Sequence, residues 1–201
     1  MTKIKLCGLG RPCDIEWANA LMPDYIGFVF AQKSKRFVSP ERAKALREGL
    51  DSNIRAVGVF VNEAPEAVAD LLNTGTIDLA QLHGGEDEEY IKALRGLTDK
   101  PLIQAFPVDS PADLEKARQS SADYVLLDNG AGGTGTAFDW ALLKGFDRPY
   151  FLAGGLGPGN VRQAIMALDP FAVDVSSGIE TNGVKDYTKM NAFVNAARHE
   201  E

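Results

Sequence analysis

Eight short apolar runs recur along this chain at intervals of roughly two dozen residues, about the length of one strand–helix unit. They occupy residues 4–7, 25–30, 56–61, 79–82, 102–106, 124–128, 151–153 and 172–175. Each is apolar almost throughout and lacks the alternation of a half-buried strand, which suits parallel strands covered on both faces. Helix signals fill the gaps. Ser39-Pro40-Glu41 offers an N-cap, a proline at the first helical position and an early acid before Ala43, Leu46 and Leu50. Pro65, Pro111 and Asn160 introduce similar patterns, and Asp186 starts a last one through Met190, Phe193 and Val194.

Eight such units without a low-complexity linker predict an α/β protein, a single (β/α)₈ TIM barrel with parallel strands spanning residues 1–201. The rival is an open doubly wound sheet, which would carry a dinucleotide fingerprint after its first strand. Here Gly8 and Gly10 have no third glycine, and Pro12 interrupts the pattern. With 45% hydrophobic and 24% charged residues the composition is ordinary for a globular protein. A formal charge of −7 with no long basic block argues against nucleic acid or an anionic membrane as partner. The first residues lack the apolar stretch of a signal peptide, and no run is long enough to cross a bilayer. A cytoplasmic protein is expected. Cys7 and Cys13 are too few for a disulfide framework.

Two glycine-rich turns close the last two runs, at Gly154-Gly155 and Ser177-Gly178. Glycines at a strand end let backbone N–H groups approach an anion, and two such turns on neighbouring late strands make a phosphate grip in a barrel. A small phosphorylated molecule is the expected ligand.

Reactive groups in a barrel sit where strands end. Cys7 closes the first run, as a small buried hydrophobe or as a base, since a thiol becomes a useful base after modest tuning. Cys13 falls on the next helix and reads as structural. Asp128 closes an apolar run, where a carboxyl is either hydrogen-bonded structurally or working at the mouth as an acid. Within Gln32–Arg36, Lys33 and Lys35 read as solvated surface, whereas the Arg36 guanidinium can stack on a ring or pair with a carboxylate. His83 and Asp174 also end strands. His83 has only His199 as a histidine companion, so a metal site is not expected. No nucleophile elbow or P-loop occurs, which points to acid–base chemistry without a cofactor.

In this order, the segments Lys5-Leu6-Cys7-Gly8, Gly27–Phe30 with Ser34-Lys35-Arg36, Val57–Asn62 and Gln81-Leu82-His83-Gly84 resemble the phosphoribosylanthranilate isomerase family of tryptophan biosynthesis. So do Leu127-Asp128, Gly132–Gly135 with Phe138-Asp139-Trp140, Ala153–Leu156 and Val173–Glu180. The resemblance covers essentially the whole chain. It implies an Amadori rearrangement of N-(5′-phosphoribosyl)anthranilate to 1-(2-carboxyphenylamino)-1-deoxyribulose 5-phosphate. It also implies Cys7 as general base and Asp128 as general acid, and Arg36 against the anthranilate ring with His83 and Asp174 nearby. Gly154, Gly155, Ser177 and Gly178 match the phosphate loops. The turn after Gly8 departs from the family, which often carries threonine or serine where this chain has Leu9-Gly10-Arg11-Pro12. Other phosphate-gripping barrels are the alternatives. A sugar-phosphate epimerase wants metal ligands at several strand ends, and indole-glycerol-phosphate synthase wants catalytic lysines. Lys5, two residues before Cys7, leaves the synthase open. A non-catalytic phosphosugar-binding barrel would keep the glycine turns and lose Cys7 or Asp128. A monomer is expected, as no exposed apolar stripe marks an interface.

Overall fold

A computed structural model describes residues 1–128 and 140–198. The chain runs β1 (Lys3–Cys7), α1 (Pro12–Leu21), β2 (Tyr25–Val29), α2 (Pro40–Glu48), β3 (Arg55–Phe60), α3 (Pro65–Asn73), β4 (Leu79–Leu82) and α4 (Glu88–Arg95). It continues with β5 (Leu102–Pro107), α5 (Pro111–Gln119), β6 (Tyr124–Asp128), β7 (Tyr150–Leu152), α6 (Val161–Leu168) and β8 (Ala172–Val175). A two-stranded hairpin of β9 (Glu180–Thr181) and β10 (Val184–Lys185) precedes α7 (Tyr187–Arg198).

Strands β1 to β8 form a closed barrel in sequence order. Closure comes from β1, which pairs in parallel with both β2 and β8 and matches Lys5 to Tyr25 on one side and to Asp174 on the other. The pleat sends alternate residues to opposite faces, so β1 divides its side chains: Ile4 and Leu6 join the core under the helices. Lys5 and Cys7 take the inward face. Below them the interior is plugged by Tyr25, Val57, Leu79, Ile103, Leu126, Phe151 and Ala172, all buried. Cys7, Val29 and Val59 form a small cluster above the plug. The barrel is therefore solid at its base and open only where the strands end.

The helices begin as the sequence indicates. Ser39 accepts from the Arg42 N–H, Ser110 and Asp113 form a capping box, and Asp186 accepts from the Lys189 N–H. Helices were expected between all eight strands, but the described part of the β6–β7 connection holds only a 3₁₀ turn over Trp140–Leu143. The seventh strand covers Tyr150–Leu152 rather than 151–153: the Ala153 N–H still reaches the Leu127 carbonyl, but the backbone turns away at Gly154 with φ +85°. The glycine-rich stretch 129–136, Phe138, Asp139 and His199 lie outside the described residues.

Candidate active site

The open end of the barrel holds a cavity of about 320 Å³. Cys7, Arg36, His83, Asp128, Gly154, Gly155, Asp174 and Ser177 all line it, with Gln81 and Ser176. Residues as far apart in sequence as the end of β1 and the end of β6 thus face one space. Gly178 is not among the lining residues. A Cβ there would come within 2.1 Å of the Leu156 carbonyl oxygen, so only glycine lets the turns after β7 and β8 touch.

Those turns present unspent donors. No protein acceptor among the described residues takes the N–H groups of Gly154, Gly155 or Ser177. Gly154 and Gly155 both hold positive φ, +85° and +67°, a backbone that other residues rarely adopt. Asn160 fixes the turn from behind, accepting from the Gly157 N–H at 2.8 Å and donating to the Gly155 carbonyl at 3.0 Å. A rigid turn with free N–H groups is a ready anion seat.

Cys7 sits at the floor of the cavity, 7% exposed. Gly27 on the neighbouring strand makes its room, because a Cβ there would lie 2.6 Å from Sγ. Burial pushes the thiol above its usual pKa, the Lys5 ammonium beside it pulls it back, and the Asp174 carboxylate adds to the rise. Asp174 does not stand free, since its Oδ1 takes the Lys5 Nζ at 3.0 Å. Across the cavity, Asp128 Oδ2 lies 3.8 Å from His83 Nε2. The other His83 nitrogen meets Gln81 Nε2 at 2.8 Å, which fixes the ring plane. Burial lowers the His83 pKa, with Lys5 adding to the fall and Asp174 and Glu86 opposing it.

Arg36 is paired with a carboxylate. Its Nε and Nη2 grip Glu180 Oε1 and Oε2 at 2.6 and 2.7 Å, a bidentate fork. The Glu180 carboxylate also takes Lys185 Nζ at 2.6 Å, and Lys185 in turn reaches the carbonyl and hydroxyl of Ser176. Burial alone would raise the Glu180 pKa, but its bonds to Arg36 and Lys185 hold it below the ordinary value. The fork leaves Nη1 without a hydrogen-bond partner among the described residues, and Arg36 lines the cavity. Glu180, Lys185 and Gln81 had no assigned role in the sequence. The first two act through a hairpin that joins the site across 144 residues, which no local pattern announces.

A profile of the N-(5′-phosphoribosyl)anthranilate (PRA) isomerase family matches residues 4–196. This chain belongs to that family. A PRA isomerase of Thermoanaerobacter sp. (strain X514) is 45% identical over 98% of both chains. A solved PRA isomerase in complex with reduced 1-(o-carboxyphenylamino)-1-deoxyribulose 5-phosphate superposes with TM-score 0.87 at 36% identity, covering 98% of this chain and 99% of that one. A structure of monomers generated from the dimeric PRA isomerase of Thermotoga maritima gives TM-score 0.86 at 36% identity over the same shares. Membership in the PRA isomerase family decides against the synthase reading that Lys5 had left open. Lys5 is fully buried and bound to Asp174.

Proposed function

We propose that this cavity carries the isomerisation of N-(5′-phosphoribosyl)anthranilate to 1-(2-carboxyphenylamino)-1-deoxyribulose 5-phosphate, with Asp128 as general acid and Cys7 as general base. The observation that carries the reading is the meeting of a thiol from β1 and a carboxyl from β6 in one cavity rimmed by the two glycine turns. The 5′-phosphate is seated on the N–H groups of Gly154, Gly155 and Ser177, with Gly178 holding the two turns together. Asp128 gives a proton to the furanose ring oxygen as the C1′–O bond breaks, and the anthranilate nitrogen lone pair forms the C1′=N iminium. Positive charge on that nitrogen acidifies the C2′ proton, so a thiolate of moderate basicity suffices. Cys7 takes the proton, and the electron pair left behind forms the enolamine. The Asp128 carboxylate then takes back the enol O–H proton and the Cys7 thiol gives its proton to C1′, which yields the ketone and returns both groups to their starting forms. Atoms balance without a co-reactant. Each assisted proton transfer is typically worth about 10²- to 10⁴-fold in rate.

His83 and Asp174 border the reacting sugar, and Arg36 faces the anthranilate ring. All of these groups come from one chain, which supports a single catalytic domain acting as a single subunit. A cytoplasmic location fits two cysteines left as free thiols.

The activity is tested by adding the protein to enzymatically generated phosphoribosylanthranilate and following the loss of its fluorescence. Decay well above the spontaneous rate is expected; decay at the spontaneous rate contradicts the proposal. The Arg36 assignment has its own test. Arg36→Ala is expected to raise KM by about 2- to 30-fold, the worth of a cation–ring contact of about 0.5–2 kcal/mol, with a smaller change in kcat. An unchanged KM would refute the role.

A further inference from the structure

Lys5 is an ammonium in the barrel interior with no exposed surface. A buried cation is tolerated when a carboxylate partners it, and Asp174 Oδ1 at 3.0 Å does that. The ion pair is complete without a third group, yet the same ammonium stands close enough to the Cys7 sulfur to act on it electrostatically. Strand geometry enforces the proximity, because residues two apart on β1 project to the same inward face.

We propose that Lys5 is a positioning residue for the isomerisation: its ammonium, anchored by Asp174 on the same inward face as Cys7, lets the sulfur carry negative charge at the dry floor of the cavity. The proposal rests on the assignment of Cys7 as base. Without the ammonium, a thiolate there would add a second negative charge beside Asp174 in a poorly solvated interior. Among the described residues, the charged and titratable groups around the sulfur are few. Lys5 lies on its own strand, Asp174 on β8, Lys185 on β10 and Arg36 in the turn before α2. Glu180 lies between Arg36 and Lys185, and His83 and Asp128 lie across the cavity. The other neighbours, Gly27, Val29 and Val59, carry no charge. Lys5 is the largest of the influences that pull the thiol pKa down, against burial, which pushes it up.

The sign of the effect follows. Removing the ammonium raises the Cys7 pKa, shrinks the thiolate fraction at neutral pH and moves the acid limb of kcat/KM to higher pH. The test uses Lys5→Gln in a Cys13→Ser background, where the amide still donates to Asp174. The rate of Cys7 alkylation by iodoacetamide is followed against pH in the free protein, beside the pH profile of kcat/KM. Both midpoints are expected to move alkaline by about one to three pH units, the range for loss of a close opposite charge. Activity at pH 7 falls about tenfold per unit and returns as pH rises, which a merely structural defect would not reproduce. An unmoved alkylation midpoint overturns the proposal. Should Lys5→Gln not fold, Lys5→Met with Asp174→Asn leaves no charge unpaired, and a smaller alkaline shift is expected; no shift, or an acid one, overturns the proposal equally. The alkylation profile reads the sulfur whether or not it is the base. Full activity in Cys7→Ser would instead overturn the assignment of Cys7 and leave that profile standing.

Discussion

Cys7→Ser is expected to lower kcat for phosphoribosylanthranilate by about 10²- to 10⁴-fold, the range for loss of a positioned proton acceptor. The substitution is small in space: serine is shorter than cysteine, and Gly27 leaves the pocket open. It is large in chemistry. An alcohol is far less acidic than a thiol, and the buried floor that already raises the thiol pKa makes an alkoxide out of reach at neutral pH. The phosphate turns are untouched, so binding persists and kcat and kcat/KM fall together, as expected for a contact made in the transition state. Steady-state fluorescence kinetics beside a thermal melt separate this loss from unfolding. A melt close to wild type with near-normal turnover would show that the sulfur is not the base.

Asp128→Asn is expected to cost a similar factor, about 10²- to 10⁴-fold in kcat, by a different route. The amide matches the carboxyl in size and keeps its place beside His83, which lies 3.8 Å from Asp128 Oδ2. It cannot give up a proton to the ring oxygen, so the furanose opens only at the unassisted rate. Affinity for reduced 1-(o-carboxyphenylamino)-1-deoxyribulose 5-phosphate should stay within a few-fold of wild type, because its ring is already open and the proposed phosphate seat is built of backbone donors. Titration calorimetry with that compound checks the binding, and fluorescence kinetics check the rate. Retained turnover would remove Asp128 from the mechanism, and lost affinity would make it a binding group.

Much of the scaffold is legible in the sequence because barrel strands are covered on both faces, so each announces itself as an apolar run. The fourth, sixth and eighth runs end as expected at Leu82, Asp128 and Val175. Ser39, Ser110 and Asp186 likewise mark helix starts through local capping chemistry. The β6–β7 connection shows the limit, since Trp140 and Leu143 carry apolar side chains yet form only a 3₁₀ turn. The proposed reactive groups stand out by position: Cys7 and Asp128 close apolar runs at strand ends, and both line the cavity. Their supports do so less. Lys5 stands out as a charge inside a buried strand, but its bond to Asp174 spans 169 residues and depends on β1 closing against β8. Glu180 and Lys185 lie in a short hairpin whose link to Arg36 is purely tertiary. A local pattern records what each residue is; barrel closure decides what it meets.

The central claim, that one sulfur at the floor of a phosphosugar cavity performs the proton abstraction, is tested most directly by ligand-protected labelling. Cys13→Ser protein is treated with iodoacetamide with and without reduced 1-(o-carboxyphenylamino)-1-deoxyribulose 5-phosphate, and mass spectrometry locates the label while turnover is followed. The account predicts one label, on Cys7, with activity lost in step and both prevented by the ligand. Turnover that survives complete labelling of Cys7, or labelling that the ligand does not slow, would contradict it.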